Sequence, residues 1–188
     1  MNGHHHIGID FGSRLAGTTA VCYESNGQLE ILQSQKNQDA DTFITELLKT
    51  MGPKHVFIDA PLSLPGAYSG QSDDFFYRNA DRVLKAMSPM FLGGLTARAM
   101  KLKSRFPDIL FMETYPRQLV RLLTLHETYR KDNHLFLEQM RLLLPFNLPR
   151  KKPNWHATDA VLAWYSGWRY LNQQFEIYGN KEEGFIYA

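Results

Sequence analysis

The first third of the chain alternates between apolar and polar positions in the way that β-strands do. Between His5 and Phe11, apolar side chains alternate with polar residues and glycine, which predicts a strand with two distinct faces. One face has Ile7, Ile9 and Phe11, and the other has His6, Gly8 and Asp10. A Thr- and Val-rich stretch at 17–23 predicts a second strand. The turn residues 25–27 then lead into a third strand at 28–33. Because tight turns join antiparallel neighbours, we expect these three strands to form one antiparallel sheet.

Helical periodicity dominates the rest of the chain, interrupted by two short buried strands. These strands are predicted at His55–Asp59 and Ile109–Glu113. Helices are predicted at 41–51, 73–87, 93–105, from Pro116, at 134–144 and at 155–172. Since helical connections precede both later strands, we expect these strands to run parallel to the first one.

These elements predict an α/β fold: a mixed five-stranded sheet with three antiparallel strands, two strands parallel to the first, and helices packed on it. We expect a single domain over residues 1–188, with a helical insertion at about 62–108. The helix at 155–172 is apolar almost all round and is therefore expected to be buried.

The composition is that of a globular protein, with 44% hydrophobic and 13% aromatic residues. The single cysteine, Cys22, excludes an internal disulfide and a cysteine metal cluster, so we expect a reducing, cytoplasmic location. No apolar run is long enough for a signal or a membrane span. The net charge is +2, and setting aside four candidate site acids leaves 21 basic against 15 acidic residues. Such a surface is compatible with a polyanionic partner.

Four acidic residues stand where the predicted elements would bring them together. Asp10, Asp59 and Glu113 lie at or near the ends of the parallel strands, which share one edge of the sheet. Asp159 lies on the apolar final helix, where an unpaired carboxylate would be costly to bury. Carboxylates that meet at one edge repel one another unless some are protonated or a cation joins them. Hard divalent ions such as Mg²⁺ or Mn²⁺ suit such oxygen ligands.

Each acid also has a purely local interpretation. Asp10 could form an Asx turn before Gly12 and Ser13, and Asp59 could cap its loop. Glu113 could interact with the dipole of the following helix, and Asp159 could be a first-turn acid of the final helix. The metal-site hypothesis therefore depends on the conjunction of all four positions.

Several motifs resemble those of a known family. Residues 7–13 and 16–19 are similar to the first hairpin of ribonuclease-H-like folds, in particular that of Holliday-junction-resolvase-like proteins. Together with Phe57–Leu62, Glu113–Pro116 and Thr158–Ala160, they resemble a family of predicted nucleases with a ribonuclease-H-like fold. The resemblance covers essentially the whole chain, and the Asp-Ala-Pro-Leu and Glu-Thr-Tyr-Pro segments are its most specific parts.

The resemblance implies a metal-dependent phosphodiesterase acting on nucleic acid. Asp10, Asp59 and Asp159 would occupy the metal-binding positions, and Glu113 would act beside them as a fourth catalytic acid. Two Mg²⁺ or Mn²⁺ ions about 3.5–4 Å apart can activate water and stabilise the leaving oxygen. Glu113 could alternatively orient the water as a general base.

Basic residues provide candidate contacts for a nucleic-acid backbone. Arg98 shares one side of a predicted helix with other cations, and Arg78 either pairs with Asp81 on the surface or faces the site. An ordinary solvated surface is the alternative for these groups. The candidate substrate contacts are Arg14, Arg78, Arg98, Lys151 and Lys152.

Two other functions fit parts of the sequence. The first hairpin also resembles the phosphate-binding hairpin of actin-like ATPases and sugar kinases, although the chain is short for their two domains. A non-catalytic binding module whose acids serve structure is the second alternative. DNA or RNA as partner, the substrate structure and the oligomeric state are all left open by the sequence.

Overall fold

The computed structural model describes residues 6–149 and 153–188. Within these ranges the chain forms seven strands in one sheet. The strands are β1 (His6–Asp10), β2 (Ala20–Ser25), β3 (Gln28–Gln33), β4 (His55–Asp59), β5 (Leu110–Thr114), β6 (Ile177–Asn180) and β7 (Gly184–Tyr187).

Helices connect and cover these strands. The α-helices are α1 (Ala40–Met51), α2 (Asn79–Leu84), α3 (Pro89–Leu92), α4 (Gly94–Ser104), α5 (Pro116–Leu122), α6 (Asn133–Arg141) and α7 (Trp155–Leu171), with a 3₁₀ turn at Gly66–Ser69. None of the helices in the described residues has the length and apolarity that a membrane crossing requires.

The sheet has the order β3-β2-β1-β4-β5-β7-β6. β1, β2 and β3 are antiparallel neighbours, whereas β4 pairs parallel to β1 and β5 pairs parallel to β4. This arrangement is the ribonuclease-H-like sheet expected from the sequence. Each of its five strands occupies the place that the tight turns and helical connections predict.

The prediction of five strands was wrong in number, because β6 and β7 extend the sheet beyond β5. β7 pairs parallel to β5 and antiparallel to β6. Both strands have only four residues, and each contains a glycine with positive φ, Gly179 at 111° and Gly184 at 91°. Glycine and the charged turn residues between the strands weaken the alternation that identifies a strand from sequence.

The segment predicted as one helix at 73–87 forms only the short helix α2. Asp74 Oδ1 accepts hydrogen bonds from the backbone N–H groups of Phe76 and Tyr77, at 2.9 and 3.0 Å, which fixes a turn in place of the first helical turns. Lys85 adopts a left-handed conformation with φ 53° and ends α2.

Two apolar cores lie on opposite faces of the sheet. Ile7, Ile9 and Ile58 pack on the side of α1 and α4. Ala20 and Cys22 pack on the other side, with α5, α6 and α7. The buried character expected for the final helix is confirmed, because Ala157 to Gly167 are all buried.

Helix α7 crosses β1 at very short range because Gly8 has no side chain. A Cβ at Gly8 would lie 2.1 Å from the Trp164 amide nitrogen and 2.5 Å from the Ala160 carbonyl oxygen. On the same face of β1, His6 Nε2 donates to the Trp164 carbonyl at 3.0 Å. Strand residues two apart share a face, so Asp10 is directed toward the first turn of α7.

Candidate metal centre

Asp10 and Asp59 lie side by side at the ends of β1 and β4. Their Cα atoms are partners in the parallel register of the two strands. Phe57, two residues before Asp59, packs against α7, since a Cβ at Gly167 would lie 2.5 Å from its ring. Asp59 therefore projects to the same face of the sheet as Asp10, at the edge where parallel strands present ligands.

The N-terminal part of α7 brings His156 and Asp159 to this edge. Asn154 caps the helix by accepting from the Ala157 N–H at 2.9 Å. Residues three apart on a helix are neighbours, which places His156 and Asp159 on one side of α7. His156 Nδ1 lies 2.8 Å from Asp10 Oδ2, and this contact with Asp10 raises the pKa of His156 above its ordinary value.

Asp159 is buried and has two partners from the turn that follows α5. The Tyr129 hydroxyl donates to Asp159 Oδ1 at 2.8 Å, and the Arg130 guanidinium forms an ion pair with Oδ2. Burial raises the pKa of Asp159 to about 7, with Asp10 adding to the rise and Arg130 opposing it. Arg130 also lies over the rings of Tyr129 and Trp155.

Asp59 has no hydrogen-bond or ion-pair partner among the residues that the structure describes. Burial raises its pKa well above the ordinary value, and the nearby charges of Asp10, Asp159 and Glu113 raise it further. Asp10, Asp159 and Glu113 therefore all lie close enough to Asp59 for their charges to act on it.

Glu113 belongs to the same group of charges but has a different environment. It is opposite Ile58 in the register of β4 and β5, so its side chain leaves the sheet on the face away from α7. Its two oxygens accept from Arg78 at 2.7 Å each, and Oε2 also accepts from the Leu62 N–H at 2.9 Å. Burial raises the pKa of Glu113, and Arg78 opposes the rise.

Arg78 is almost completely buried, with 1% of its surface exposed. Besides Glu113, its guanidinium donates to both oxygens of Asp81, at 2.9 and 2.7 Å, and to Ser63 at 2.9 Å. Arg78 pairs with Asp81 as one alternative predicted, but the expected place of the pair was wrong, because it is buried behind the site and not on the surface. Its donors are engaged by protein groups, and a direct contact with substrate stays a prediction.

The other candidate substrate contacts are spread around the acids. Arg14 is exposed and pairs with Asp39. Arg98 donates to Asp41 and, at 3.0 Å, to the carbonyl of Gly12 just beyond β1. Lys151 and Lys152 lie outside the described residues.

Sequence reasoning missed His156, Arg130 and Tyr129. The i, i+3 spacing of His156 and Asp159 on a predicted helix was a usable signal for the first of them. Arg130 has φ 63° in a turn without periodicity, and no sequence pattern places it or Tyr129 against Asp159.

The donor set fits a hard divalent ion in its chemistry. Asp10, Asp59 and Asp159 lie at one sheet edge with His156 beside them, and burial raises the pKa of each of the three carboxyl groups. Carboxylate oxygens are the ligands that such an ion prefers. Within residues 6–149 and 153–188, however, no three His, Cys, Asp or Glu side chains are already arranged to hold a metal ion. Asp10 and Asp159 instead face His156 and Arg130.

Neither the protein-family models nor the curated proteins include a match to this chain. Among solved structures, the chain is similar to T. thermophilus RuvC in complex with Holliday junction substrate, at 14% identity and a TM-score of 0.47. A second structure of Thermus thermophilus RuvC shares 17% identity with the same TM-score. Each match covers 90% of this chain and 96% of the RuvC chain. The fold itself is given by the sheet order described above, with three antiparallel strands and two strands parallel to the first.

Proposed function

We propose that this protein is a metal-dependent nuclease that hydrolyses nucleic-acid phosphodiester bonds. The observation that carries the proposal is the convergence of Asp10, Asp59 and Asp159 from two strands and a distant helix on one edge of the sheet. Concentrated negative charge of this kind is unfavourable by itself and becomes favourable when cations bind to it.

Asp10, Asp59 and Asp159 would hold Mg²⁺ or Mn²⁺, with His156 as an additional nitrogen ligand. Bound ions of this type, two in the proposed site, lower the pKa of a water and stabilise the leaving oxygen of a phosphodiester. The pairing of Arg130 with Asp159 is the contact that must open, and the half-exposed Arg130 side chain has room to turn toward solvent.

The other residues of the site hold its acids and the neighbouring loop in place. The Tyr129 hydroxyl would keep Asp159 oriented after Arg130 leaves, because it bonds the other carboxylate oxygen. Glu113 is the fourth acid of the proposal, and its bonds to Arg78 and Leu62 fix the loop after β4 beside Asp59. Arg14, Arg98, Lys151 and Lys152 are the proposed backbone contacts, with Arg98 next to the end of β1.

A cleavage assay with matched variants tests this function. Labelled single-stranded DNA, duplex DNA, RNA, RNA–DNA hybrid and a four-way junction are incubated with Mg²⁺, Mn²⁺ or EDTA. We expect metal-dependent cleavage by the wild type and a loss of at least about 100-fold in Asp10→Asn and Asp59→Asn. Asp108→Asn, which changes an exposed carboxylate between α4 and β5, is the matched control and should retain full activity.

Thermal unfolding separates the nuclease from a non-catalytic module. If the acids bind metal, Mn²⁺ raises the melting temperature of the wild type and of Asp108→Asn, but not that of an Asp10→Asn, Asp59→Asn double variant. Cleavage that survives unchanged in Asp10→Asn would identify a contaminating nuclease and end the proposal. A melting temperature that Mn²⁺ leaves unchanged in every protein would assign the acids to structure.

A further inference from the structure

A pocket of about 240 Å³ opens directly beside Asp10 and Asp59. It lies between the ends of the parallel strands and the segment that contains α3 and the start of α4. Its walls are mainly apolar and are formed by Phe11, Ala60, Pro61, Met87, Leu92 and Leu95. The proposed hydrolysis needs no apolar pocket, so this feature calls for a separate explanation.

The charged groups that line the pocket are all acidic. They are Asp10, Asp59, Asp81 and Glu113, and no Lys, Arg or His of the described residues lines it. A phosphate group is therefore repelled from the interior. A neutral ring with N–H donors is favoured, because Asp81 and Glu113 retain acceptor capacity beyond their bonds to Arg78.

The size of the pocket suits one heteroaromatic ring system. An apolar cavity of about 150 Å³ takes up benzene. A pocket of about 240 Å³ therefore has room for one nucleobase but not for a base together with its pairing partner. Ligand pockets of this kind combine apolar walls with a few polar groups that orient the ligand.

Exposed apolar side chains lie in the segment that forms one wall of the pocket. Met87 is 61% exposed and lines the pocket, and Phe91, immediately before Leu92, is 63% exposed. The Phe91 ring contacts the rings of Phe76 and Tyr77, each at 5.9 Å between centroids. Exposed aromatic faces next to a site for nucleic acid are typical of stacking surfaces for unpaired bases.

We propose that this pocket takes a single unpaired nucleobase, while the phosphate attached to the same nucleotide lies outside, at the metal ions that Asp10 and Asp59 would hold. The inference rests on the proposed nuclease function and specifies its substrate class: nucleic acid with unpaired or extruded nucleotides at the cleavage point. A paired base cannot enter, since its partner would have to fit in the same space.

The test measures nucleoside binding without metal or cleavage. The wild type is labelled with ¹³C at its methionine methyl groups, the Met87 resonance is assigned with Met87→Leu, and adenosine, cytidine, guanosine and uridine are titrated in EDTA. We expect the Met87 signal to shift and saturate at millimolar nucleoside. Leu92→Trp, which fills the pocket, should weaken binding at least tenfold, whereas Leu142→Trp on a remote, 88% exposed position should not.

A wild-type Met87 signal that no nucleoside shifts overturns the pocket proposal, even if the protein cleaves nucleic acid. Equal binding by wild type and a folded Leu92→Trp variant overturns it as well. Saturable nucleoside binding without cleavage of any substrate supports the pocket and removes the nuclease function instead. If both hold, cleavage of single strands should exceed cleavage of blunt duplex at least tenfold, and Leu92→Trp should abolish that preference. An equal rate on both substrates in the wild type contradicts the proposed substrate class.

Discussion

At the scale of single residues, the four acids of the site differ in how their charge is compensated. Asp10 faces His156, Asp159 faces Arg130, and Glu113 faces Arg78. Asp59 has no such partner in the described part of the chain and carries a strongly raised pKa. Asp59 is therefore the position where a bound cation changes the local electrostatics most.

The contact between His156 and Asp10 gives a residue-scale prediction. In EDTA, the His156 ring should titrate above its ordinary value, since the Asp10 carboxylate stabilises the imidazolium. Asp10→Asn should lower the His156 pKa, and Asp108→Asn should leave it unchanged. Two-dimensional NMR of the histidine ring signals against pH measures both effects, and a His156 pKa unaffected by Asp10→Asn would contradict the described contact.

The buried pairing of Arg78 gives a second residue-scale prediction. Arg78→Met leaves Asp81 and Glu113 buried without a counter-charge and should lower the free energy of unfolding by about 3–5 kcal/mol. Arg82→Met is the matched control, because the Arg82 side chain is 61% exposed in its pair with Asp74. This substitution should lower the free energy of unfolding by at most about 1 kcal/mol. Urea denaturation compares the two variants. Equal losses would show that Arg78 is not buried as described.

Residue-level prediction from the sequence succeeded where a residue's place in an element decides its surroundings. Asp10 and Asp59 end apolar strands, so their approach follows from strand direction alone. The partners of these acids were beyond such reasoning, because Arg130 reaches Asp159 from an irregular turn and Arg78 precedes a helix much shorter than its sequence pattern indicates.

At the scale of elements, the packing of α7 on β1 determines where the site forms. His6, Gly8 and Asp10 face successive parts of α7 from its Trp164 region to its first turn. A change in that contact would shift Asp159 relative to Asp10.

Gly8→Ala tests this packing. The added Cβ would collide with backbone atoms of α7, which cannot rotate away, so we expect a loss of at least about 3 kcal/mol in unfolding free energy or failure to fold. Gly94→Ala is the control, since a Cβ at the start of α4 meets nothing within 4 Å and should be neutral or stabilising by up to about 1 kcal/mol. Circular dichroism during urea unfolding measures both. Similar stabilities for the two variants would refute the close approach.

The longer strands with a regular apolar pattern were predicted from the sequence, and the short ones were not. The strands β1 to β5 have five or six residues and clear apolar patterns. The hairpin of β6 and β7 escaped prediction although Ile186 is buried and Glu183 accepts from the N–H groups of Gly66 and Asn79. These contacts are long-range, and the local sequence carries no trace of them.

At the scale of the whole molecule, clustered acids make stability depend on pH. The pKa values of Asp59 and Asp159 are raised in the folded protein, so their protonated forms stabilise it fully below their ordinary values. This stabilisation is lost as the pH rises through the pKa values that the two groups have in the folded protein, a value of about 7 for Asp159. His156 acts in the same direction, because its raised pKa favours the charged form, which is lost at higher pH.

We therefore expect the metal-free protein to melt at a lower temperature at about pH 8 than at about pH 5.5. Asp59→Asn should reduce this difference and raise the melting temperature at the higher pH, by about 2–4 °C for each kcal/mol gained. Saturating Mg²⁺ should remove the deficit in the wild type, because it binds the deprotonated acids. Differential scanning calorimetry in EDTA and in Mg²⁺ measures all three. A metal-free wild type that becomes more stable with rising pH would contradict the raised pKa values.

The distance along the chain between the acids also has a consequence for biosynthesis. Asp59 leaves the ribosome about 100 residues ahead of Asp159, and Asp10 about 150 residues ahead. The shorter of these intervals is about 5–20 s at ordinary translation rates. During that interval β1 lacks the helix that covers Gly8, and the nascent polypeptide has only part of its proposed ion-binding groups. The proposed ion-binding site is therefore complete only after the last helix has been synthesised.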